Sequence, residues 1–206
     1  MVDRLVLYDW SQSSMLATLI EAQRLKRLDR TGWTLRGLPN GTESVAAHSF
    51  GVAVAAMFLG DEINVRGGSV DLEKVLRLAL LHDLAETQVG DMPKTAVSYF
   101  GSAARRKAET DAFADVLEAT GANRVRYQAL YEEYEVRESL EAQIVKAADV
   151  VDLLVQALAL ERGGARGLDE FWEIAKTGPT LSDNVAREVV AELLSQLLKE
   201  RQALSR

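Results

Sequence analysis

Cysteine is absent from the 206-residue chain. That absence excludes a disulfide framework, a thiolate metal site and a cysteine nucleophile. Proline is scarce, with 3 residues at 39, 93 and 179, and only 2 histidines occur, His48 and His82. Imidazole chemistry must therefore come from those two side chains. No uncharged apolar run approaches the roughly 18 residues that a membrane span needs. The start, Met1-Val2-Asp3-Arg4, lacks the basic opening and long apolar run of a signal peptide. A soluble cytoplasmic protein, with no membrane partner, is the expectation. Positive charge is in the minority, with 24 Lys and Arg against 31 Asp and Glu, a formal net charge of -7 and a pI near 5.0. Such a chain is repelled by nucleic-acid phosphates, although a few local cations can still hold one small phosphorylated ligand.

What is present reads as one soluble globular unit, with 48% hydrophobic and 27% charged residues. Neither a linker nor an internal repeat divides residues 1–206. Apolar residues recur at helical spacing rather than alternating, which predicts an all-α fold. Helices are expected over 12–28 and 44–60, the latter with Val45, His48, Val52, Ala55, Ala56 and Leu59 on one stripe. Between them, 29–43 carries three glycines and a proline and reads as a structured loop. Ser69 or Asp71 can cap a third helix after Gly67-Gly68, burying Val75, Leu78, Ala79 and His82. Further helices are expected near 101–120, 123–135, 138–162, 168–176 and 182–204. The apolar stripe of the last one suits its own core first and a dimer contact second.

A lone histidine on an apolar stripe is ordinarily a core residue, but the neighbours of His82 change the reading. The run Leu80-Leu81-His82-Asp83-Leu84-Ala85-Glu86 sets three polar groups in an apolar helix, with His82 and Glu86 at i and i+4 on one face. Buried carboxylates cost several kcal/mol each unless a cation or hydrogen bonds compensate. A divalent metal does so economically, because imidazole and carboxylate both suit Mn, Fe, Co, Ni or Zn. His48 is a further candidate ligand. Within the apolar run 140–160, Asp149 is the preferred fourth ligand and Asp152 the fallback; a salt bridge with Lys146 is the ordinary alternative.

The pattern of His48, His82-Asp83 and Asp149 resembles the HD-domain superfamily of metal-dependent phosphohydrolases, and more narrowly its 5'-deoxynucleotidase branch. The resemblance covers about residues 16–175. It includes Leu25-Lys26-Arg27, Arg30-Thr31-Gly32-Trp33, Glu43-Ser44-Val45, Gly90-Asp91 and Val145-Lys146. It implies a compact helical bundle with one divalent ion (Mn, Co, Fe, Ni, Zn or Mg) between helices, and commonly a homodimer. It implies catalytic roles for Glu86 and Asp91, a pocket wall from Trp33, and a phosphate contact from Arg30 or Arg36. The chain departs from the bacterial pattern at Asp91-Met92-Pro93-Lys94-Thr95, where either an insertion displaces the threonine by one or Lys94 takes a phosphate or surface role. The expected reaction is hydrolysis of the 5'-phosphate of (deoxy)ribonucleoside monophosphates. Alternatives are another nucleotide, such as a nucleoside triphosphate or guanosine tetraphosphate, or a non-catalytic nucleotide-binding dimer.

Overall fold

In the computed structural model, which describes residues 15–204, the chain runs through helix after helix. They are α1 (Met15–Ala22), a 3-10 turn (Gln23–Lys26), α2 (Thr31–Thr34), α3 (Val45–Val65), α4 (Leu72–Leu81), α5 (Glu86–Val89), α6 (Lys94–Phe100), α7 (Ser102–Val116), a second 3-10 segment (Glu118–Asn123), α8 (Arg124–Val136), α9 (Leu140–Arg162), α10 (Asp169–Thr177) and α11 (Asn184–Leu204). Among the described residues the sole β feature is an isolated bridge between Asp29 and Ser44, so the all-α expectation holds. Residues 12–14 of the expected opening helix, and the start Met1-Val2-Asp3-Arg4, lie outside the described residues. No helix among the described residues is long and apolar enough to cross a membrane.

Side-chain caps set the starts of the helices that matter most here. Ser44 Oγ accepts from the Ala47 N–H at 3.1 Å to open α3, and Asp71 Oδ1 accepts from Lys74 at 3.1 Å to open α4. Ser139 Oγ does the same for α9, accepting from Ala142 at 3.2 Å. Each satisfies an N–H that the first helical turn cannot, an effect of about 1 kcal/mol per cap. These three helices pack on one another, and their buried faces join α10 and α11 in one core. The apolar stripe of α11 is largely spent on that core, with Val189, Val190, Leu194 and Leu197 buried in it. A second, smaller core gathers Leu25, Val45, Phe113, Val116 and Tyr131 with Leu84 and Ala85.

That second core explains the main departure from expectation. The helix expected to carry His82 through Glu86 ends at Leu81, and residues 82–85 form a turn before α5. The i,i+4 argument for His82 and Glu86 on one continuous helix is therefore corrected. Leu78 and Ala79 belong to the larger core and Leu84 and Ala85 to the smaller one, so the chain must change direction between them. Three-residue hydrogen bonds, Leu84 N to Leu81 O at 3.1 Å and Glu86 N to Asp83 O at 3.0 Å, tighten the bend.

Two smaller differences also shape the site. The segment expected as one helix near 101–120 is preceded by α6 and closes in a 3-10 segment, and the 29–43 loop contains α2. The base of that loop is pinned by Val45 N to Leu28 O at 2.8 Å and Arg30 N to Glu43 O at 3.0 Å. Arg30 and Trp33 are thereby held near the start of α3, where His48 lies.

Candidate metal centre

His48, in the first turns of α3, is buried to 1% exposure, and His82, just past the end of α4, to 5%. Their rings lie 5.5 Å apart, centre to centre. His82 Nδ1 sits 2.7 Å from the carbonyl oxygen of Ala79, which can only accept. Nδ1 therefore carries the proton, and Nε2 turns its lone pair inward. His48 is arranged likewise, with Nδ1 2.7 Å from Asp152 Oδ2. Among the described residues neither Nε2 has a hydrogen-bond partner.

Carboxylates surround those two nitrogens. Asp83 Oδ2 lies 3.1 Å from His82 Nε2 and 3.7 Å from His48 Nε2, while Asp149 Oδ1 lies 3.3 Å from His48 Nε2. Around a first-row divalent ion with bonds of roughly 2.1 Å, neighbouring ligand atoms stand about 3 Å apart. Three of the four groups named from sequence, His48, His82 and Asp83, bring ligand atoms within 4.8 Å of one another, and Asp149 adjoins them through His48. Two buried unpartnered imidazole nitrogens are the donors an ion there would satisfy. A second cluster, Glu43, His48 and Asp152, also falls within 4.8 Å, but it lies on the Nδ1 side of His48. There Nδ1 already faces Asp152, and Glu43 Oε2 accepts from Trp33 Nε1 at 2.6 Å. The Nε2 side is the better metal centre.

The electrostatics agree. Burial works against the charged form of Asp83, but His82, His48 and Arg30 outweigh it and hold the carboxyl well below the usual range. Asp149 is also held low despite burial, by Lys146, His48 and His82. Lys146 Nζ bonds Asp149 Oδ2 at 2.6 Å, leaving Oδ1 toward His48. The anticipated Lys146 salt bridge and the approach to His48 therefore coexist. Burial and Arg30 favour neutral His48, yet the neighbouring carboxylates of Asp149 and Asp152 lift its pKa to about 9. Glu86 goes the other way from the aspartates: burial, Asp83 and Asp91 push its carboxyl up to about 10, and its Oε2 is buried without a partner among the described residues.

A cavity of about 490 Å³ opens beside these groups. Arg30 and Asp91 both line it, with Arg30 NH1 3.4 Å from Asp83 Oδ2 and 3.6 Å from Asp91 Oδ1. Gly90, at φ 77°, turns the chain out of α5 in a conformation few side chains tolerate, and Asp91 follows directly. Asp91 Oδ2 accepts from the Thr31 N–H at 2.5 Å and lies 3.0 Å from Thr31 Oγ1. Trp33 lines the cavity while also anchoring its loop, since it is 1% exposed and its ring lies 4.7 Å from that of Phe171. Lys94, exposed at the start of α6, lines the cavity as well. Arg36 does not: it pairs with Glu170 and stacks 5.0 Å over the Phe171 ring. Of the two loop arginines, the structure thus brings only Arg30 to the ligand cluster.

Two residues at the site, Thr31 and Glu43, carried no assigned role in the sequence, and a third, Asp152, stood only as the fallback ligand. Thr31 holds Asp91, Glu43 holds Trp33, and Asp152 stands behind His48 rather than among the Nε2 ligands. A signal existed for the last of these. Gly51 interrupts a helix interior, at a cost of about 1 kcal/mol relative to alanine, so something must need the space.

Fold and site together define an all-helical protein with a histidine-carboxylate cluster that could hold a metal ion. A family model described as HD domain matches residues 22–184. The chain belongs to the HD domain family. It is 35% identical over 164 residues to the protein named 5'-deoxynucleotidase HDDC2 of Danio rerio, covering 77% of this chain and 76% of that one. The protein of the same name from Homo sapiens is 32% identical over 149 residues, covering 72% and 69%. Among solved structures, a conserved hypothetical protein from Pyrococcus furiosus superposes with a TM-score of 0.78 at 35% identity, covering 89% of this chain and 99% of that one.

Proposed function

We propose that this chain is a divalent-metal-dependent phosphohydrolase that cleaves the 5'-phosphate from deoxyribonucleoside monophosphates, giving nucleoside and phosphate. The observation that carries the reading is the convergence of two buried, unpartnered imidazole nitrogens with Asp83 and Asp149 at the edge of a cavity that also presents Glu86, Asp91 and Arg30. The names of the relatives in fish and human support the substrate class. His48, His82, Asp83 and Asp149 are the metal ligands in this reading. A divalent ion held by them would supply Lewis-acid charge beside the phosphate and lower the pKa of water there, so that hydroxide is available at neutral pH.

The remaining steps belong to side chains. Arg30, kept charged by Asp83, Asp91 and Asp149 against the cost of burial, binds phosphate oxygens through its planar guanidinium. Glu86 accepts the proton of the attacking water. Burial and Asp83 hold a proton on Glu86 in the stripped site, so cationic charge beside Asp83 must lower its pKa before it can act as base. The proton it takes then passes to the leaving 5' oxygen. Asp91, committed as an acceptor to Thr31, positions the sugar next to the leaving 5' oxygen. Trp33 walls the base side of the cavity, and Lys94 guides the anionic substrate from the surface.

The reading further takes residues 1–206 as a single HD domain, and the protein as a cytoplasmic homodimer with a nucleotide as its only further partner. Exposed Phe50 and Phe58 lie along an apolar groove between α3, α9 and α11, which supports self-association; light scattering measures it.

The test is phosphate release from a panel of deoxyribo- and ribonucleoside 5'-monophosphates, using chelated protein reconstituted with Mn, Co, Mg or Zn. Release from the deoxy compounds, abolished by chelator, is expected. Release from nucleoside triphosphates alone, or from nothing with any metal, would sink it.

A further inference from the structure

Behind His48, on the side away from Asp83 and Asp149, the packing is unusually close. Asp152 Oδ2 stands 2.7 Å from His48 Nδ1. The other oxygen of the same carboxylate occupies the space a side chain at position 51 would fill: a Cβ on Gly51 would lie 1.9 Å from Asp152 Oδ1 and 2.7 Å from its Cγ. Gly51 is three residues beyond His48 on α3, and Asp152 is three beyond Asp149 on α9, so the contact ties together the two helices that carry ligands. Glu43 completes the arrangement, with a carboxylate oxygen within 4.8 Å of His48 and Asp152. Its Oε2 is held in turn by Trp33 Nε1 at 2.6 Å.

We propose that Asp152 is the positioning residue of His48 and not a metal ligand, and that Gly51 is glycine because Asp152 must reach Nδ1 through the space its side chain would take. This rests on the metal reading of His48. An imidazole can carry its proton on either nitrogen, and only the Nδ1–H form offers Nε2 to a cation. A carboxylate accepting that N–H fixes the tautomer, fixes the ring plane and raises the basicity of Nε2. Asp152 occupies that place, and Glu43 backs it with a second acceptor already oriented by Trp33. Trp33, which holds Glu43, also lines the substrate cavity, so Glu43 stands between the cavity wall and the back of His48.

The experiment is zinc affinity of the full chain, by competition with a chromophoric chelator, together with the 15N spectrum of the imidazoles in the zinc-loaded protein. With only 2 histidines in the chain, that spectrum is readily assigned. Asp152→Ala and Gly51→Ala are each expected to weaken zinc binding roughly 10- to 100-fold, with the His48 Nδ1–H signal shifted or lost and that of His82 unchanged. Asp152→Asn keeps a neutral acceptor for Nδ1 and is expected to recover most of the affinity. The double variant Gly51→Ala with Asp152→Ala should be no worse than Asp152→Ala, since both act through one contact. Wild-type affinity in Asp152→Ala overturns the inference. So does an Asp152→Asn protein as weak as Asp152→Ala, which would mean direct ligation or charge. If Asp152→Ala fails to fold, Gly51→Ala and Asp152→Asn decide the matter in the same way. Wild-type protein that binds no zinc overturns the metal reading itself, and this inference with it.

Discussion

The pocket has two unlike walls. One is built from long regular helices, α3 of 21 residues and α9 of 23, which present His48 and Asp149. The other is a bend in the chain after α4, where His82, Asp83, Glu86 and Asp91 follow one another within ten positions. A helix turns about 100° per residue, so neighbours on it cannot all face one ligand. The bend removes that restriction, and it delivers a histidine, two aspartates and a glutamate to one cavity. The backs of the two histidines differ in the same way. On the helical wall the partner of Nδ1 is a side chain, Asp152; on the bend it is the backbone carbonyl of Ala79. Substitution can disconnect His48 from its partner and cannot do so for His82.

Breaking the bend at its centre gives the largest expected effect. Asp83 is near both Nε2 atoms, so Asp83→Ala should lose bound metal and all measurable turnover. Metal analysis beside phosphate release checks this, and retained metal would remove Asp83 from the ligand set. Glu86→Gln sharpens the comparison within the bend. It should keep the metal while turnover falls roughly 10²- to 10⁴-fold, the range for a lost general base. Full turnover in that variant would end the assignment.

Glu86 also sets a pH dependence in metal-stripped protein. Its pKa rises from 4.5 to about 10 on folding, so over that window the folded chain holds a proton the unfolded chain has released. Stability therefore falls as pH climbs from 4.5 toward 10. Thermal melts of the stripped protein should show this decline, and a shallower one in Glu86→Gln; parallel slopes would contradict it. On the loop facing both walls, Arg30→Lys keeps the charge but loses the planar fork, and should weaken kcat/KM about tenfold, or about 1.4 kcal/mol. Arg36→Ala should leave turnover unchanged, because its partners are Glu170 and Phe171. Loss of activity there equal to that of Arg30→Lys would reverse the choice between the two arginines.

The helical wall was legible in the sequence and the bend was not, for physical reasons. Val45, Val52, Ala56 and Leu59 recur at helical spacing and are all buried, so α3 and the orientation of His48 followed from periodicity alone. Leu80 to Glu86 contains no glycine or proline and reads as continuous helix. The break there comes from two separate cores competing for Leu78 and Leu84, which a local pattern does not reveal. The convergence of His82 with Glu86 could be inferred, but from a helix that ends too early to supply it. Asp149 and Asp152 illustrate the same limit. Both sit on one face of α9, and only the packing of α3 against it shows which one reaches Nε2 and which one Nδ1.

The central claim is that one divalent ion lies between the two walls, on the Nε2 side of His48. Anomalous diffraction from crystals loaded with manganese or cobalt locates it directly. One peak per chain is expected, about 2.0–2.2 Å from the Nε2 atoms of His48 and His82 and from carboxylate oxygens of Asp83 and Asp149. A peak on the Nδ1 side, between Glu43 and Asp152, or no peak in protein that hydrolyses its substrate, would contradict it.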